Sequence, residues 1–393
     1  MPSNRIKVLF IIPTLEIGGG AEKNAYNLGN KFKVRYDIRY LNFYNKTRVY
    51  DTGQFVYNLN EKSNKNLISK LLYIFKRLIF LRKVCNEFKP DLVISFGFYS
   101  NILVSICSLF RTYRVILSVR SDLKRKGRLI RYLSTALYNR MDVTHVLTKK
   151  MDKDLSSLGI KNTFHIYNGH NVEGYRSMAS DDLPTKIPNE AYVYLNIGRL
   201  NYAKGQWHLL KAFSVCVEQY PNSMLIIIGE GELKNELEAL IDALQIKDKV
   251  LILDNKLNIF PYIKRANCCC FSSLFEGLPN VLIETLAIQT PVITTDCISG
   301  PREIVFPQLD VDESVSYPFH ANCGILTAPF TSVGFDTSIN VTHSERNFAL
   351  AMGAVRSLAS QDSDYESRVL AFSEDKIIDQ WYQLIDRLCT RQG

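Results

Sequence analysis

One stretch of the sequence constrains the fold more than any other: residues Cys270–Val305, which read CFSSLFEGLPNVLIETLAIQTPVITTDCISGPREIV. An apolar run over Cys268–Ser273 predicts a strand, and Asn280–Gln289 has the pattern of a helix. The next strand is predicted over Val292–Thr295. A strand, a turn, a helix and a second strand form a β-α-β crossover, and such crossovers join parallel strands. The segment therefore predicts a parallel sheet covered by helices.

Two carboxylates lie around the start of the predicted helix, Glu276 in the turn and Glu284 about one helical turn inside. Near Leu278–Val281 the helix start offers free backbone N–H groups and the positive end of the helix dipole, which together bind anions. Glu284 can accept hydrogen bonds from the hydroxyls of a group attached to that anion. A diphosphate next to sugar hydroxyls is the chemistry of a nucleotide sugar.

The pattern E-G-x-P-x-x-x-x-E, which runs from Glu276 to Glu284, is similar to the signature of the family 4 retaining glycosyltransferases. The run Ser299–Glu303 adds to the resemblance. That family has the α/β fold called GT-B, with two Rossmann-like parallel-sheet domains, a cleft between them and a C-terminal helix that crosses back to the first domain. The resemblance implies a hexosyltransferase that uses a UDP-sugar and retains the anomeric configuration.

The alternation of apolar strands and helices fits two such domains in a chain of 393 residues. We expect an N-terminal, acceptor-side domain over residues 1–172 and a nucleotide-sugar-binding domain over residues 191–371. Between them, residues 173–190 lose their periodicity and accumulate Pro, Ser and Asp, which predicts a linker. Residues 372–393 would contain the crossing helix. Residues 306–322 and 330–343 have little periodicity, and the sequence assigns them no role.

A glycine run follows the first predicted strand, Lys7–Leu15, and precedes a predicted helix. The dinucleotide fingerprint G-x-G-x-x-G is not present there, because its third glycine is replaced by Lys23. In the resembling family a G-G-A-E run, matched here by Gly19–Glu22, lies against the donor phosphates and the acceptor. The resemblance therefore assigns Gly19 and Gly20 to ligand binding, and the alternative is a tight turn without a ligand.

Three cations follow predicted strands, at the sheet edge where open α/β sheets bind ligands. Arg120 comes after Arg114–Val119, where family members often have a His or Arg near the reacting centre, and the alternative is a local interaction with Asp122. Arg199 and Lys204 follow the first strand of the second domain. An arginine fork and a lysine point charge suit a diphosphate, and the resembling family has its phosphate-binding pair here. The alternative is two exposed surface cations.

The resemblance gives these residues roles in transfer. Glu276 would hold the hydroxyls of the transferred sugar, and Glu284 would hold those of the ribose. The catalytic residues would be Glu276, Arg199, Lys204 and Arg120. The donor-binding residues would be Gly19, Gly20, Arg199, Lys204, Glu276, Gly277, Leu278, Pro279, Asn280 and Glu284. No metal and no other cofactor is expected, because the two cations and the helix start can stabilise the leaving diphosphate.

The charge of the chain is divided unequally. Residues 1–180 contain 31 Lys and Arg against 12 Asp and Glu, whereas the whole chain has a net charge of only +9. A basic first half suggests an anionic surface as partner: membrane phospholipid, a lipid diphosphate or nucleic acid. The predicted helix Asn66–Phe88 is basic and amphipathic, and it either packs on the sheet or lies on a membrane. For the basic segment Leu123–Tyr132 the expectation is a solvated face.

These features predict a cytoplasmic enzyme bound peripherally to the inner face of the membrane, which builds a surface glycan such as capsule or lipopolysaccharide on a lipid-linked or polysaccharide acceptor. No apolar run is long enough to span a bilayer, and the apolar start is interpreted as a strand rather than a signal peptide. Nine irregularly spaced cysteines argue for a reducing compartment, and Cys268–Cys270 is interpreted as a buried strand.

Three alternatives remain at this point. Rossmann-like repetition fits a dinucleotide-dependent oxidoreductase, although its fingerprint is missing. The basic half fits a non-enzymatic nucleic-acid-binding protein, although no RNA-recognition, zinc or helix-turn-helix motif is present, so we expect no nucleic-acid partner. A GT-B sugar-nucleotide epimerase would share the fold and would need no acceptor.

Overall fold

The structure is a computed structural model that describes residues 5–16, 20–44, 50–60, 67–120, 122–330, 334–358 and 362–389. The chain divides into two compact units. Unit 1 consists of Met1–Gly169 together with Asp375–Gly393, and unit 2 consists of His170–Glu374. The sequence had placed the boundaries near residues 172 and 372.

Unit 1 is built on a parallel sheet whose central strands are apolar and buried. Its strands are β1 (Lys7–Ile12), β2 (Asp37–Asn42), β3 (Phe55–Asn58), β4 (Leu92–Phe96), β5 (Arg114–Val119), β6 (Val143–Val146) and β7 (Thr163–His165). Its first five helices are α1 (Gly20–Phe32), α2 (Leu67–Phe88), α3 (Phe98–Cys107), α4 (Arg128–Tyr138) and α5 (Lys149–Ser157). In the sheet the order is β3-β2-β1-β4-β5-β6-β7. The direction of winding reverses between β1 and β4, which is where doubly wound sheets bind ligands.

Unit 2 repeats this architecture. Its strands are β8 (Tyr192–Ile197), β9 (Ser223–Ile228), β10 (Val250–Leu253), β11 (Cys268–Phe271), β12 (Val292–Thr295), β13 (Phe319–Ala321) and β14 (Gly324–Thr327). Its helices are α6 (Val172–Met178), α7 (Gln206–Gln219), α8 (Lys234–Ala243), α9 (Phe260–Arg265), α10 (Asn280–Ala287), α11 (Pro301–Val305), α12 (His343–Ala354) and α13 (Asp362–Val369). The order is β10-β9-β8-β11-β12-β14-β13, with winding reversed between β8 and β11.

The predicted fold class, two Rossmann-like α/β domains with parallel sheets, is confirmed. The unit 2 sheet is not parallel at one edge, because β13 pairs with β14 in the antiparallel direction. The predicted β-α-β segment is β11, α10 and β12, and Cys268–Cys270 is fully buried as expected. The expected linker over residues 173–190 was wrong in part, because α6 occupies its beginning. Helix α6 is short, and its Asn171 cap and Gly174 make its sequence similar to that of a loop.

Unit 1 is completed by the last helix, α14 (Glu374–Cys389). Its apolar face is buried in the same core as β1, and Trp381 and Tyr382 pack against Phe32 of α1 with ring centroids 6.0 and 5.8 Å apart. Arg35 pairs with Asp386 at 2.8 Å at the edge of this contact. The two ends of the chain therefore share one hydrophobic core.

Candidate active site

The loops after β8 and β11 meet at the switch point of the unit 2 sheet. Gly205 has φ +58°, and a Cβ atom there would lie 2.4 Å from the carbonyl oxygen of Ser272, so only glycine fits. The hydroxyl of Ser272 donates to the carbonyl of Lys204 at 2.9 Å, and the N–H of Leu274 donates to the carbonyl of Ala203 at 2.8 Å. These bonds hold Lys204 against the strand that leads to Glu276.

Lys204 and Glu276 form an ion pair at this place, with Nζ 2.5 Å from Oε1. The hydroxyl of Ser273 donates to the same carboxylate oxygen at 2.6 Å. The side chains are 28% and 12% exposed, so the pair lies at an accessible but sheltered surface. Within the described residues, the second oxygen of Glu276 and two N–H groups of Lys204 have no protein partner. One partly buried pair thus offers an acceptor and a cation to the same ligand.

Arg199 lies in the loop after β8 with its side chain exposed. Two glycines of the loop after β9 let the chains approach: a Cβ on Gly229 would lie 1.9 Å from the carbonyl oxygen of Gly198, and one on Gly231 would lie 2.2 Å from that of Leu200. The Leu200 N–H donates to the Glu230 carbonyl at 2.9 Å. Gly229 and Gly231 therefore allow the close backbone packing that fixes the Arg199 loop.

The turn from Gly277 to Pro279 packs against the run that begins at Ser299. The hydroxyl of Ser299 donates to the Gly277 carbonyl at 3.1 Å. Gly300 has φ +96°, and a Cβ on it would lie 2.5 Å from Cδ of Pro279. The two sequence motifs thus stabilise one loop, and that loop leads into the first turn of α10. Leu278, Pro279 and Asn280 lie there, and no side chain caps the helix at Pro279.

Glu284 is the fifth residue of α10 and is only 3% exposed. The Glu284 carboxylate acts on Tyr175 of α6. Burial is the largest cause that raises the pKa of Tyr175, and the charge of Glu284 is the second. A buried carboxylate on the helix that follows the turn can accept hydroxyl groups in a fixed direction. Unit 2 therefore brings together Lys204 and Glu276 directly, with Arg199, the start of α10 and Glu284 on the adjoining elements.

Arg120 belongs to unit 1, where it follows β5. Its guanidinium donates to three neutral partners: Nε to Ser118 Oγ at 2.9 Å, Nη1 to Asn168 Oδ1 at 3.0 Å and Nη2 to Asn24 Oδ1 at 2.6 Å. Asp122 instead accepts the backbone N–H of Lys124 at 2.8 Å, so the alternative of a local Arg120–Asp122 contact was wrong. Burial lowers the pKa of Arg120 to about 9. Among the described residues no carboxylate is hydrogen-bonded to this guanidinium, and the charge of Glu22 acts on it without a direct bond.

Gly20 is the first residue of α1, and Gly19 lies outside the described residues. Asn24 follows one turn later on α1 and reaches Arg120. Sequence analysis did not identify Asn24, Asn168 or Ser273 as site residues. For Ser273 a signal was present, since a hydroxyl residue that follows a buried parallel strand lies at the ligand-binding edge.

Helices α2, α3 and α4 lie side by side on unit 1 and expose apolar side chains. Nine of the eighteen large apolar side chains that are exposed in the described residues lie on these helices and the turn after α3: Phe75, Ile79, Tyr99, Ile106, Leu109, Leu129, Ile130, Tyr132 and Leu133. Lys76, Lys83 and Arg128 are exposed among them. The expected solvated face at Leu123–Tyr132 therefore contains the start of an amphipathic helix with uncovered apolar residues.

Within the described residues no helix is both long and apolar enough to cross a bilayer. The same residues contain no cluster of three or more His, Cys, Asp or Glu that is arranged to hold a metal ion.

Comparison with known proteins identifies the family. The model for "Glycosyl transferases group 1" matches residues 180–309. An uncharacterized glycosyltransferase of Methanocaldococcus jannaschii is 32% identical over 380 residues, which cover 90% of this chain and 94% of that protein. The chain belongs to the group 1 glycosyltransferases.

This glycosyltransferase also resembles a Campylobacter jejuni protein named N-acetylgalactosamine-N,N'-diacetylbacillosaminyl-diphospho-undecaprenol 4-alpha-N-acetylgalactosaminyltransferase. The identity is 28% over 299 residues, covering 73% of this chain and 80% of that protein. Among solved structures, HepE of Anabaena in complex with UDP and glucose matches with a TM-score of 0.75 and 17% identity, over 97% of this chain and 100% of that one. The predicted GT-B glycosyltransferase is confirmed at the level of fold and enzyme class.

Proposed function

We propose that this glycosyltransferase moves a hexose or an N-acetylhexosamine from a UDP-sugar to a lipid-linked glycan, with retention of configuration. The observation that carries the proposal is the Lys204–Glu276 pair at the switch point of unit 2, where a diphosphate and a sugar can be held together. The UDP and glucose bound by HepE support the donor class. The diphospho-undecaprenol in the name of the Campylobacter relative supports a lipid-linked acceptor.

In this proposal the leaving diphosphate is stabilised by Arg199, by the two remaining N–H groups of Lys204 and by the first turn of α10. The second oxygen of Glu276 accepts hydroxyls of the transferred sugar, and Glu284 accepts those of the ribose. The acceptor oxygen attacks the anomeric carbon from the face that the diphosphate leaves. The bond from carbon to the phosphate oxygen breaks, and the leaving phosphate takes the acceptor proton, so that configuration is retained.

We further propose that transfer needs no divalent metal. Cationic side chains and a helix start already supply the positive charge that the leaving diphosphate requires. Turnover should therefore persist in EDTA, and addition of magnesium or manganese should change it by less than about twofold, far below the hundredfold expected for a lost catalytic group. Loss of turnover in EDTA that either metal restores would overturn this part of the proposal.

The exposed surface of α2, α3 and α4 supports a proposal about where the enzyme acts. We infer that unit 1 docks on the anionic inner face of the cytoplasmic membrane, where a lipid-linked acceptor is reached. The uncovered apolar side chains can enter the interface, and each Lys or Arg near it contributes about 1 kcal/mol. Arg77 is not part of this surface, because it is buried, donates to the Tyr44 hydroxyl at 2.7 Å and stacks on Phe43.

The donor class is tested by thermal unfolding with UDP-sugars and GDP-sugars at matched concentration. A UDP-sugar at a hundredfold excess over its dissociation constant should stabilise unit 2 by about 2.7 kcal/mol, and the increase should be lost in Glu284→Ala. Stabilisation by GDP-sugars alone would overturn the choice of base. NMR of the product of transfer to a diphospho-polyprenol-linked sugar reads the anomeric configuration, and an inverted product would overturn retention.

A further inference from the structure

A chain of hydrogen bonds leads from the core of unit 1 to Arg120. Ser118 on β5 and His145 on β6 are direct partners in the parallel register, so their side chains lie on the same face of the sheet. Both are buried, at 0% and 1% exposure. Ser118 Oγ lies 2.9 Å from His145 Nδ1, and His145 Nε2 lies 2.9 Å from the carbonyl oxygen of Ile166.

The direction of each bond follows from the last acceptor. A carbonyl oxygen can only accept, so Nε2 of His145 donates to Ile166 and carries the proton of the neutral ring. Nδ1 therefore accepts, and the hydroxyl of Ser118 donates to it. The oxygen of Ser118 is then free to accept the Nε–H of Arg120, which lies 2.9 Å away. One orientation satisfies every member of the chain.

The ring of His145 is kept neutral by its surroundings. Burial, and next the charge of Arg120, lower its pKa well below the usual 6.5. His165 on β7 acts in the same direction, and the ring of Trp381 from α14 packs against the His145 ring with centroids 4.7 Å apart. A protonated ring would donate from Nδ1 to Ser118 Oγ and would leave the Ser118 hydroxyl hydrogen without this acceptor, so the neutral form is the one that satisfies every bond of the chain.

We propose that Ser118 and His145 are positioning residues that fix the guanidinium of Arg120 for the transfer reaction. Arginine has five N–H donors, and the described contacts with Ser118, Asn24 and Asn168 use three of them. One N–H remains on each terminal nitrogen, and both can donate to oxygens of an anionic group of the substrate. The proposal rests on the proposed glycosyl transfer and on the catalytic role that the family resemblance gives Arg120 in it.

The test is a double-mutant cycle of Ser118→Ala and Arg120→Ala. Ser118→Ala should lower kcat/KM about tenfold, since a loosened group that touches substrate costs up to a hundredfold. In the Arg120→Ala background the same change should alter kcat/KM by less than about twofold, because no positioned group remains. Ser118→Thr, which keeps the hydroxyl, should restore most of the loss. An equal loss in both backgrounds would show a merely structural role and overturn the proposal.

Ser105→Ala is the matched control. Ser105 is also fully buried in unit 1, but its hydroxyl donates to the Asn101 carbonyl at 2.7 Å and does not contact Arg120. This variant should leave kcat/KM unchanged.

A second measurement needs no activity. In ¹⁵N-labelled protein the His145 ring should show the neutral Nε2–H tautomer from pH 5.5 to 8, and Ser118→Ala should shift the Nδ1 resonance. A protonated ring or an Nδ1–H tautomer would overturn the proposed chain. Absence of sugar transfer by the wild-type enzyme would instead count against the proposed function, so the two failures are distinguishable.

Discussion

At the scale of single residues, a substitution of Lys204 tests the proposed donor site most directly. In the proposed mechanism Lys204 stabilises the leaving diphosphate, so Lys204→Ala should lower kcat/KM about a hundredfold, the effect of a loss of about 3 kcal/mol. The loss should appear with unchanged thermal unfolding. The matched control is Lys234→Ala, which breaks an exposed pair with Asp254 in the same unit at 2.6 Å. Activity of Lys204→Ala within threefold of wild type would contradict the assignment of this site.

The partly buried His165 also makes stability depend on pH. Burial lowers the pKa of His165 from 6.5 to about 4, with the Asp152 charge opposing it. Below pH 6.5 His165 binds a proton in the unfolded chain but not yet in the folded one. The free energy of unfolding of unit 1 therefore falls as pH is lowered toward 4. The slope from this residue is at most about 1.4 kcal/mol per pH unit.

Urea midpoints of wild type and His165→Asn at pH 7.5, 6 and 5 measure this contribution. The variant should lose less stability between pH 7.5 and 5 than the wild type does. The control is His320→Asn, which removes an exposed histidine of unit 2. This variant should lose as much stability between pH 7.5 and 5 as the wild type does. Parallel pH curves for wild type and His165→Asn would show that His165 titrates alike in the folded and unfolded chain.

At the scale of the elements, the loop between β8 and α7 depends on one glycine. Gly205→Ala should destabilise unit 2 by about 2 kcal/mol or more, because the residue is left-handed and its new Cβ would meet the Ser272 carbonyl. Donor affinity should fall as well, since Lys204 precedes it. Gly127→Ala, at a position with nothing within 4 Å of a new Cβ, should be close to neutral. Calorimetry measures the stability of the two variants, and titration with a UDP-sugar measures their donor affinity.

The strands and the donor-side elements could be predicted from the sequence because their signals are local. Buried parallel strands are continuous apolar runs, and β5 and β12 were predicted with their observed bounds. Helix α4 was missed because its apolar residues remain exposed and basic residues surround them, so no buried stripe marks it. Helix α13 was missed for a related reason, a polar sequence of eight residues.

The partners of the site residues could not be predicted, because they come from distant parts of the chain. Arg120 is 96 residues from Asn24 and 48 from Asn168, and only the sheet order brings them together. The unassigned residues 330–343 show the same limit: Asp336 pairs with the buried Lys211 of α7 at 2.6 Å, and Phe335 packs on Trp207. Lys204 and Glu276 were both selected from the sequence, but their direct contact was not foreseen.

At the scale of the whole molecule, the basic and apolar surface of α2, α3 and α4 predicts binding to vesicles. Sedimentation should be strong with anionic lipid at low salt and should fade as salt screens the charges. Replacing Leu129 and Tyr132 by Ser should weaken it, since their side chains are 70% and 73% exposed and free to enter the interface. Replacing Leu350, which is 66% exposed on unit 2, should not.

Lys76→Gln with Lys83→Gln tests the charge separately from the apolar side chains. This double variant should reduce binding to anionic vesicles and leave the weak binding to neutral vesicles unchanged. Equal recovery on anionic and neutral vesicles, or none on either, would contradict membrane docking. Self-association of the wild type that Leu129→Ser abolishes would point to a second copy of the chain as the occupant.

The split of unit 1 into two segments has a consequence for synthesis on the ribosome. Residues 170–374 emerge as one continuous unit, whereas the first 169 residues must wait for Trp381 and Tyr382 to cover Phe32. Domains that are continuous in sequence fold as they are made. Unit 2 can thus finish folding while the nascent unit 1 still presents apolar surface to chaperones. We therefore expect the part of the enzyme that is translated first to complete its folding last.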